Sequence, residues 1–96
     1  MFFVEVAFYY FVTVGMLIKI HVMKSVQIGQ EIRNELRRQG KTNTWLAQKI
    51  HVNSRTVNKI FLKNDIDTSQ LMIISFALGV DFFKLYSSMF EDYYNQ

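Results

Sequence analysis

The spacing of apolar positions changes once along the chain, from a continuous apolar head to a body with helical rhythm. From Phe2 to Ile18 the head is apolar or aromatic apart from Glu5, Thr13 and Gly15, and Ile18-Lys19-Ile20-His21-Val22 then alternates apolar with polar. Beyond Met23 the period lengthens. Val26, Ile28, Ile32 and Leu36 recur at near-helical spacing, while Glu31, Arg33, Glu35, Arg37 and Arg38 fall mostly on other faces, which predicts a first helix over about 26–39. Glu31 and Glu35 are like charges four apart, but Arg37 and Arg38 lie in the last turn, where cations complement the helix dipole. Gly40 supplies a left-handed stop.

Thr42-Asn43-Thr44 is the next start signal, because short hydroxyl and amide side chains cap exposed backbone N–H groups. Trp45, Leu46, Ala47, Lys49 and Ile50 follow as a helix of about two turns, broken by His51-Val52-Asn53. Asn53 or Ser54 caps a third helix running through Lys63, with Val57, Ile60 and Phe61 inward. Asn64-Asp65 reads as a loop, and Asp67, Thr68 or Ser69 caps a fourth helix over about 68–78, carrying Leu71, Ile74, Phe76 and Leu78. Gly79 ends it. Asp81 caps a fifth helix with Phe82, Leu85, Tyr86, Met89 and Phe90 available for burial. Short helices with short connections predict an all-α, five-helix module over residues 24–96, carrying an additional hydrophobic N-terminal segment over 1–23.

That segment admits several readings. It is long enough to anchor in a membrane, with Lys19, Lys24 and the basic middle keeping the rest on the cytoplasmic side, yet Glu5 sits inside it. It is poor as a secretory signal, since no Lys or Arg precedes the apolar run and no small-residue cleavage site is evident. Its Phe, Val, Tyr and Thr suit a strand, or a packed or dimerising segment. The internal Met16 and Met23 also allow an extension upstream of the module's own start.

Composition narrows the function. The chain has 96 residues, half of them hydrophobic, which suits one domain with its own core. It has no Cys and two His, so neither a disulfide framework nor a thiolate or His-cluster metal site is expected. No carboxylate pair, Ser/His/Asp set or phosphate-cradling Gly loop argues for an enzyme, and no catalytic residue, cofactor or metal is expected. The net charge of +3 is unevenly spread. Residues 24–63 carry nine Lys or Arg against Glu31 and Glu35, a surplus of seven; residues 64–96 carry Lys84 against five acids; the head is neutral. A basic middle is the asymmetry of a polyanion-binding face, with a solvated helical surface as the plainer reading.

One constellation goes further: Leu46-Ala47, Ile50, Val52, Val57 and Ile60. Two short helices crossing steeply over a tight turn need a small residue at the crossing, here Ala47, with Leu46 and Ile50 one turn apart toward the core and Val52 plugging the turn. Val57 and Ile60 form the inward stripe of the second of the pair. In these residues the stretch NTWLAQKIHVNSRTVNKIFL resembles the lambda-repressor-like family of helix-turn-helix regulators, which includes Cro and xenobiotic-response-element-type proteins. The similarity runs roughly from Val26 to Phe90, and DTSQLMIISFALGVDFF looks like that family's fourth-helix pattern. The family's turn normally carries Gly where this chain has His51. A non-Gly residue is strained in a left-handed turn, although His is among those enriched there.

The resemblance implies a sequence-specific, repressor-type transcriptional regulator in the cytoplasm that binds double-stranded DNA as a homodimer. Helix 54–63 would enter the major groove with its N-terminal residues nearest the bases. Ser54, Arg55 and Lys59 then occupy base-reading positions, with Asn58 beside them; Arg and Lys donate to guanine O6 and N7. Lys41, Thr42, Asn43, Thr44, Thr56 and Lys63 are phosphate candidates. Trp45 sits either against the phosphate backbone or partly in the core. The second copy would use the aromatic tail (Phe82, Phe83, Tyr86, Phe90, Tyr93, Tyr94) or the head. Alternatives on the same fold are an antitoxin, a protein-interaction module, and a regulator tethered to the membrane through residues 1–23.

Overall fold

A computed structural model of the chain describes residues 26–95. The apolar head over 1–23 lies outside them, and so do its strand, anchor and extension readings. The described residues are all-α, with helices α1 (Ile28–Arg38), α2 (Asn43–Lys49), α3 (Ser54–Phe61), α4 (Thr68–Leu78) and α5 (Phe83–Tyr94). None of these helices alone is long and apolar enough to cross a membrane.

The helix starts follow the side-chain chemistry of the residues before them. Thr42 Oγ1 accepts from the Trp45 N–H at 3.0 Å, Asn53 Oδ1 from Thr56 at 2.8 Å, and Asp67 Oδ1 from Gln70 at 2.9 Å. Each bond satisfies a first-turn donor and stabilises its helix by about 1 kcal/mol. Asp81 Oδ1 takes the Phe83 N–H at 3.0 Å where α5 begins. α1 has no such cap and starts two residues later than its apolar spacing predicts. The Gly29 N–H instead donates to the Lys63 carbonyl at 3.0 Å, so the first turn of α1 is anchored by the chain that leaves α3.

Three helices end in one hydrogen-bond pattern, in which N–H groups beyond the helix fold back onto its last turn. After α1 these are Gly40 to Arg37 at 2.9 Å and Lys41 to Leu36 at 3.1 Å; after α4, Val80 donates to Ser75 at 3.1 Å. Both need a left-handed residue and find Gly40 (φ 71) and Gly79 (φ 68). α2 closes the same way, His51 to Gln48 at 3.4 Å and Val52 to Ala47 at 2.9 Å, with His51 at φ 58. The left-handed conformation costs an L-residue about 1–2 kcal/mol, partly offset by the greater freedom glycine has when unfolded. His51→Gly is therefore expected to stabilise the protein by about 0.5–1 kcal/mol in a urea titration; a lower midpoint would show that the imidazole makes a contact worth more than the strain.

The core collects Ile28, Ile32 and Leu36 from α1, Leu46, Ala47 and Ile50 around α2, Val57, Ile60 and Phe61 from α3, Leu71, Ile74 and Leu78 from α4, and Phe82. Two of the aromatic residues that the helical pattern offers to a core lie outside it. Phe76 is 79% exposed and Phe90 62% exposed. In α4 the buried stripe is Leu71, Ile74, Ser75 and Leu78; at about 100° per residue Phe76 falls near the opposite face. In α5, Leu85, Tyr86 and Met89 flank it differently: Tyr86 and Leu85 pack against the core, and Phe90 stacks on Tyr94 outside, with ring centroids 5.3 Å apart.

α3 also ends two residues earlier than expected, at Phe61 rather than Lys63. Leu62 and Lys63 turn back through N–H bonds to Lys59 and Ile60, at 3.1 and 3.0 Å. The close of α3 meets α1 at Gly29: a Cβ there would lie 2.4 Å from the Ile60 carbonyl oxygen and 2.5 Å from that of Phe61. Only a residue without a side chain lets the two backbones approach so closely.

At the other end of α1, Glu35 accepts from Arg38 Nε at 3.0 Å and from Gln39 Nε2 at 2.9 Å, and Gln39 Nε2 also reaches the Leu78 carbonyl at 2.8 Å. Hydrogen bonds from Arg38, then from Gln39, hold the Glu35 carboxyl down to about 2 from its ordinary 4.5. A depressed carboxyl stabilises the fold above its unfolded pKa and loses that contribution as pH falls through the folded value. The native chain should therefore lose stability between pH 4.5 and about 2 that Glu35→Gln does not lose in the same acid titration. The Arg38 side chain is 71% exposed, which keeps the difference modest; identical acid profiles would remove this cluster as a source of stability.

Candidate nucleic-acid interface

α2 and α3 share one patch of core. Leu46 and Ala47 from α2 are buried, Ala47 at 3% exposure, and Val57, Ile60 and Phe61 from α3 meet the same cluster. With its inward positions at 57, 60 and 61, α3 turns 55 and 59 to the opposite side. Arg55 and Lys59 are both exposed, one turn apart and adjacent on the surface. Neither is ion-paired among the described residues. Two unneutralised cations in neighbouring positions repel each other by a few tenths of a kcal/mol, and an anion laid along α3 relieves that repulsion.

Two side-chain bonds tie α2 to α3 along one edge of this face. Asn43 Nδ2 donates to Asn58 Oδ1 at 2.8 Å, and Thr44 Oγ1 lies 3.5 Å from Ser54 Oγ. Sequence reading assigned these four residues separately, Ser54 and Asn58 to bases and Asn43 and Thr44 to phosphates; the structure pairs them. The pairing leaves Asn58 its amide N–H donors and Asn43 its carbonyl oxygen for an outside partner. No sequence signal marks such pairs, since each polar residue is unremarkable in its own helix and only the crossing brings them together.

The other candidates divide by what already holds them. Thr56 is half-buried and its hydroxyl donates to the Asn53 cap at 3.0 Å, so its donor is engaged. The Thr42 oxygen accepts from Trp45 and leaves a hydroxyl proton to donate. Lys41 lies with Nζ 4.0 Å from the centre of the Trp45 ring, and Lys49 Nζ lies 5.7 Å from it. Trp45 itself is half-buried against the core, so its ring serves packing and holds Lys41 by a cation–π contact. Lys63 is exposed beyond the end of α3, in the turn that anchors Gly29, and is not on the helix as the sequence suggested. Leu62, which sequence reading passed over, stands beside it 81% exposed.

Among the described residues no group of His, Asp or Glu is placed to hold a metal ion. The arrangement consists of hydrogen-bond donors and fixed positive charge on a braced helix pair. Comparisons with models of protein families, with characterised proteins and with solved structures each found no match to this chain.

Proposed function

We propose that the chain is a sequence-specific regulator of repressor type, which lays α3 in the major groove of double-stranded DNA. The observation that carries this reading is the sidedness of α3. Val57, Ile60 and Phe61 are buried, and Arg55 and Lys59 stand out on the opposite side without acidic partners among the described residues. Arg55 is the principal base reader, with Lys59 beside it and the Ser54 hydroxyl and Asn58 amide at the α2 edge. Asn43, Thr44 and Thr42 at the start of α2, with Lys41 and Lys63, serve the phosphates. The resemblance to lambda-repressor-like regulators supports this assignment, as does the basic surplus over residues 24–63.

A second copy would double the few base pairs that one module contacts. The apolar side chains left on the surface, Phe90 and Tyr94 on α5 and Ile73 and Phe76 on α4, offer it a surface. Phe82 is buried and drops out of the aromatic tail suggested for this role. The same exposed residues would serve a protein partner in the antitoxin reading.

The test is salt-dependent binding to duplex DNA. Every phosphate that the protein neutralises adds about 0.9 to the slope of log affinity against log salt. Lys63→Ala should weaken all duplexes alike and reduce the slope by about one unit. An unchanged slope removes Lys63 from the interface, and binding with no salt dependence removes DNA as the ligand.

A further inference from the structure

α4 is apolar on two opposite sides. Leu71, Ile74 and Leu78 are buried in the core. At about 100° per residue the far side carries Ser69, Met72, Ile73 and Phe76, all exposed. These four keep the i, i+3, i+4, i+7 spacing of a helix face that packs against something. No residue from Thr68 to Val80 is charged. Helices that are apolar on every side are buried ones, yet among the described residues α4 is covered on its core side alone.

We propose that this outer face of α4 packs antiparallel on the same face of a second copy, about a two-fold axis between Met72 and Ile73. Three observations select that occupant. In a two-fold contact each residue meets the one equally far beyond the axis. Phe76, the largest side chain of the face, then lies over Ser69, the smallest, and Met72 lies against Ile73. The face is complementary to itself. A two-fold axis also brings every nearby charge to its own twin, and this face has none to repel. The equivalent exposed stripe of α5, Ser87, Phe90, Glu91 and Tyr94, has the same spacing, but pairing it would desolvate Glu91 beside its twin. The 11 residues of α4 form a face about 16 Å long and about 10 Å wide. That is short of the about 800 Å² per partner of a standard interface, so the pair is weak, with a dissociation constant of about 1 µM or more. This gives a place to the second copy invoked above, and its test uses no DNA, so it holds or fails separately from the reading of α3.

Sedimentation of the full chain over a range of concentrations measures the pairing, and the expected result is a reversible monomer–dimer equilibrium. Phe76→Ser should weaken it at least about tenfold, and Phe90→Ser on α5 less than about twofold. Met72→Glu and Ile73→Lys each set two like charges about the axis, and each should weaken pairing at least about tenfold. An equimolar mixture of those two chains should pair at least about tenfold better than either alone, because the new carboxylate then faces the new ammonium. Recovery in the mixture also shows that both variants are folded. A chain that stays monomeric, association untouched by Phe76→Ser, or a mixture no better than its components would overturn the proposal. A monomer that instead binds phosphatidylcholine vesicles, and loses them with Phe76→Ser, would overturn it in favour of a lipid surface.

Discussion

Gly29→Ala is expected to lower stability by about 2–3 kcal/mol, a fall in melting temperature of roughly 10–20 °C for a domain of this size. The sign is informative because helix propensity alone predicts the reverse: alanine is better than glycine inside a helix by about 1 kcal/mol. The new methyl would lie 2.4 Å from the Ile60 carbonyl oxygen and 2.5 Å from that of Phe61. Both are backbone atoms and cannot swing aside as a side chain would, so α1 must move off α3. That movement breaks the Gly29 bond to Lys63 and loosens Ile28 and Ile32 against Ile60 and Phe61. Urea and thermal unfolding of the two chains measure it. A stability equal to or above that of the native chain would show that α1 and α3 do not approach so closely.

Arg55→Ala should have the largest effect on function at little cost in stability. The side chain is exposed, and surface substitutions of this kind usually change stability by less than about 0.5 kcal/mol. Binding to the preferred duplex should weaken by about 1–3 kcal/mol, and discrimination at one base pair should disappear. On unrelated duplexes the effect should be smaller, because there Arg55 contributes only its charge. Affinities for both kinds of duplex at one fixed salt concentration decide the matter. An equal effect on both would make Arg55 a phosphate contact and move base reading to Lys59 and the α2 edge.

Most of the fold was legible because it rests on local chemistry. Thr42, Asn53 and Asp67 cap the helices they precede, Gly40 and Gly79 stop theirs, and His51 takes the left-handed turn that its place between α2 and α3 requires. Ile28, Ile32, Leu36, Leu46, Ala47, Val57 and Ile60 are buried where helical spacing puts them. What escaped depends on other elements. Phe76 and Phe90 are apolar enough for a core, but their angular positions turn them from it. The end of α3 is set by the turn that delivers the Lys63 carbonyl to Gly29. Gly29 reads as a weak spot in a helix until the neighbouring backbone is in view.

The candidate site divides along the same line. The outward set of Arg55 and Lys59 follows from the period of α3, since knowing the buried stripe fixes the exposed one. The Asn43–Asn58 and Thr44–Ser54 pairs depend on how α2 crosses α3, which periodicity does not encode. Thr56 differs, since its hydroxyl donates to the Asn53 cap three residues earlier in the same helix start, a local bond.

Selection of bound duplexes from a random pool by the full chain bears most directly on whether the α3 surface reads DNA sequence. The enriched sequences should contain two related half-sites about 10–10.5 base pairs apart, centre to centre, and bind at least about a thousandfold more tightly than scrambled duplexes of the same length. A pool that stays random after repeated selection, or equal affinity for selected and scrambled duplexes, would show that α3 serves some other purpose.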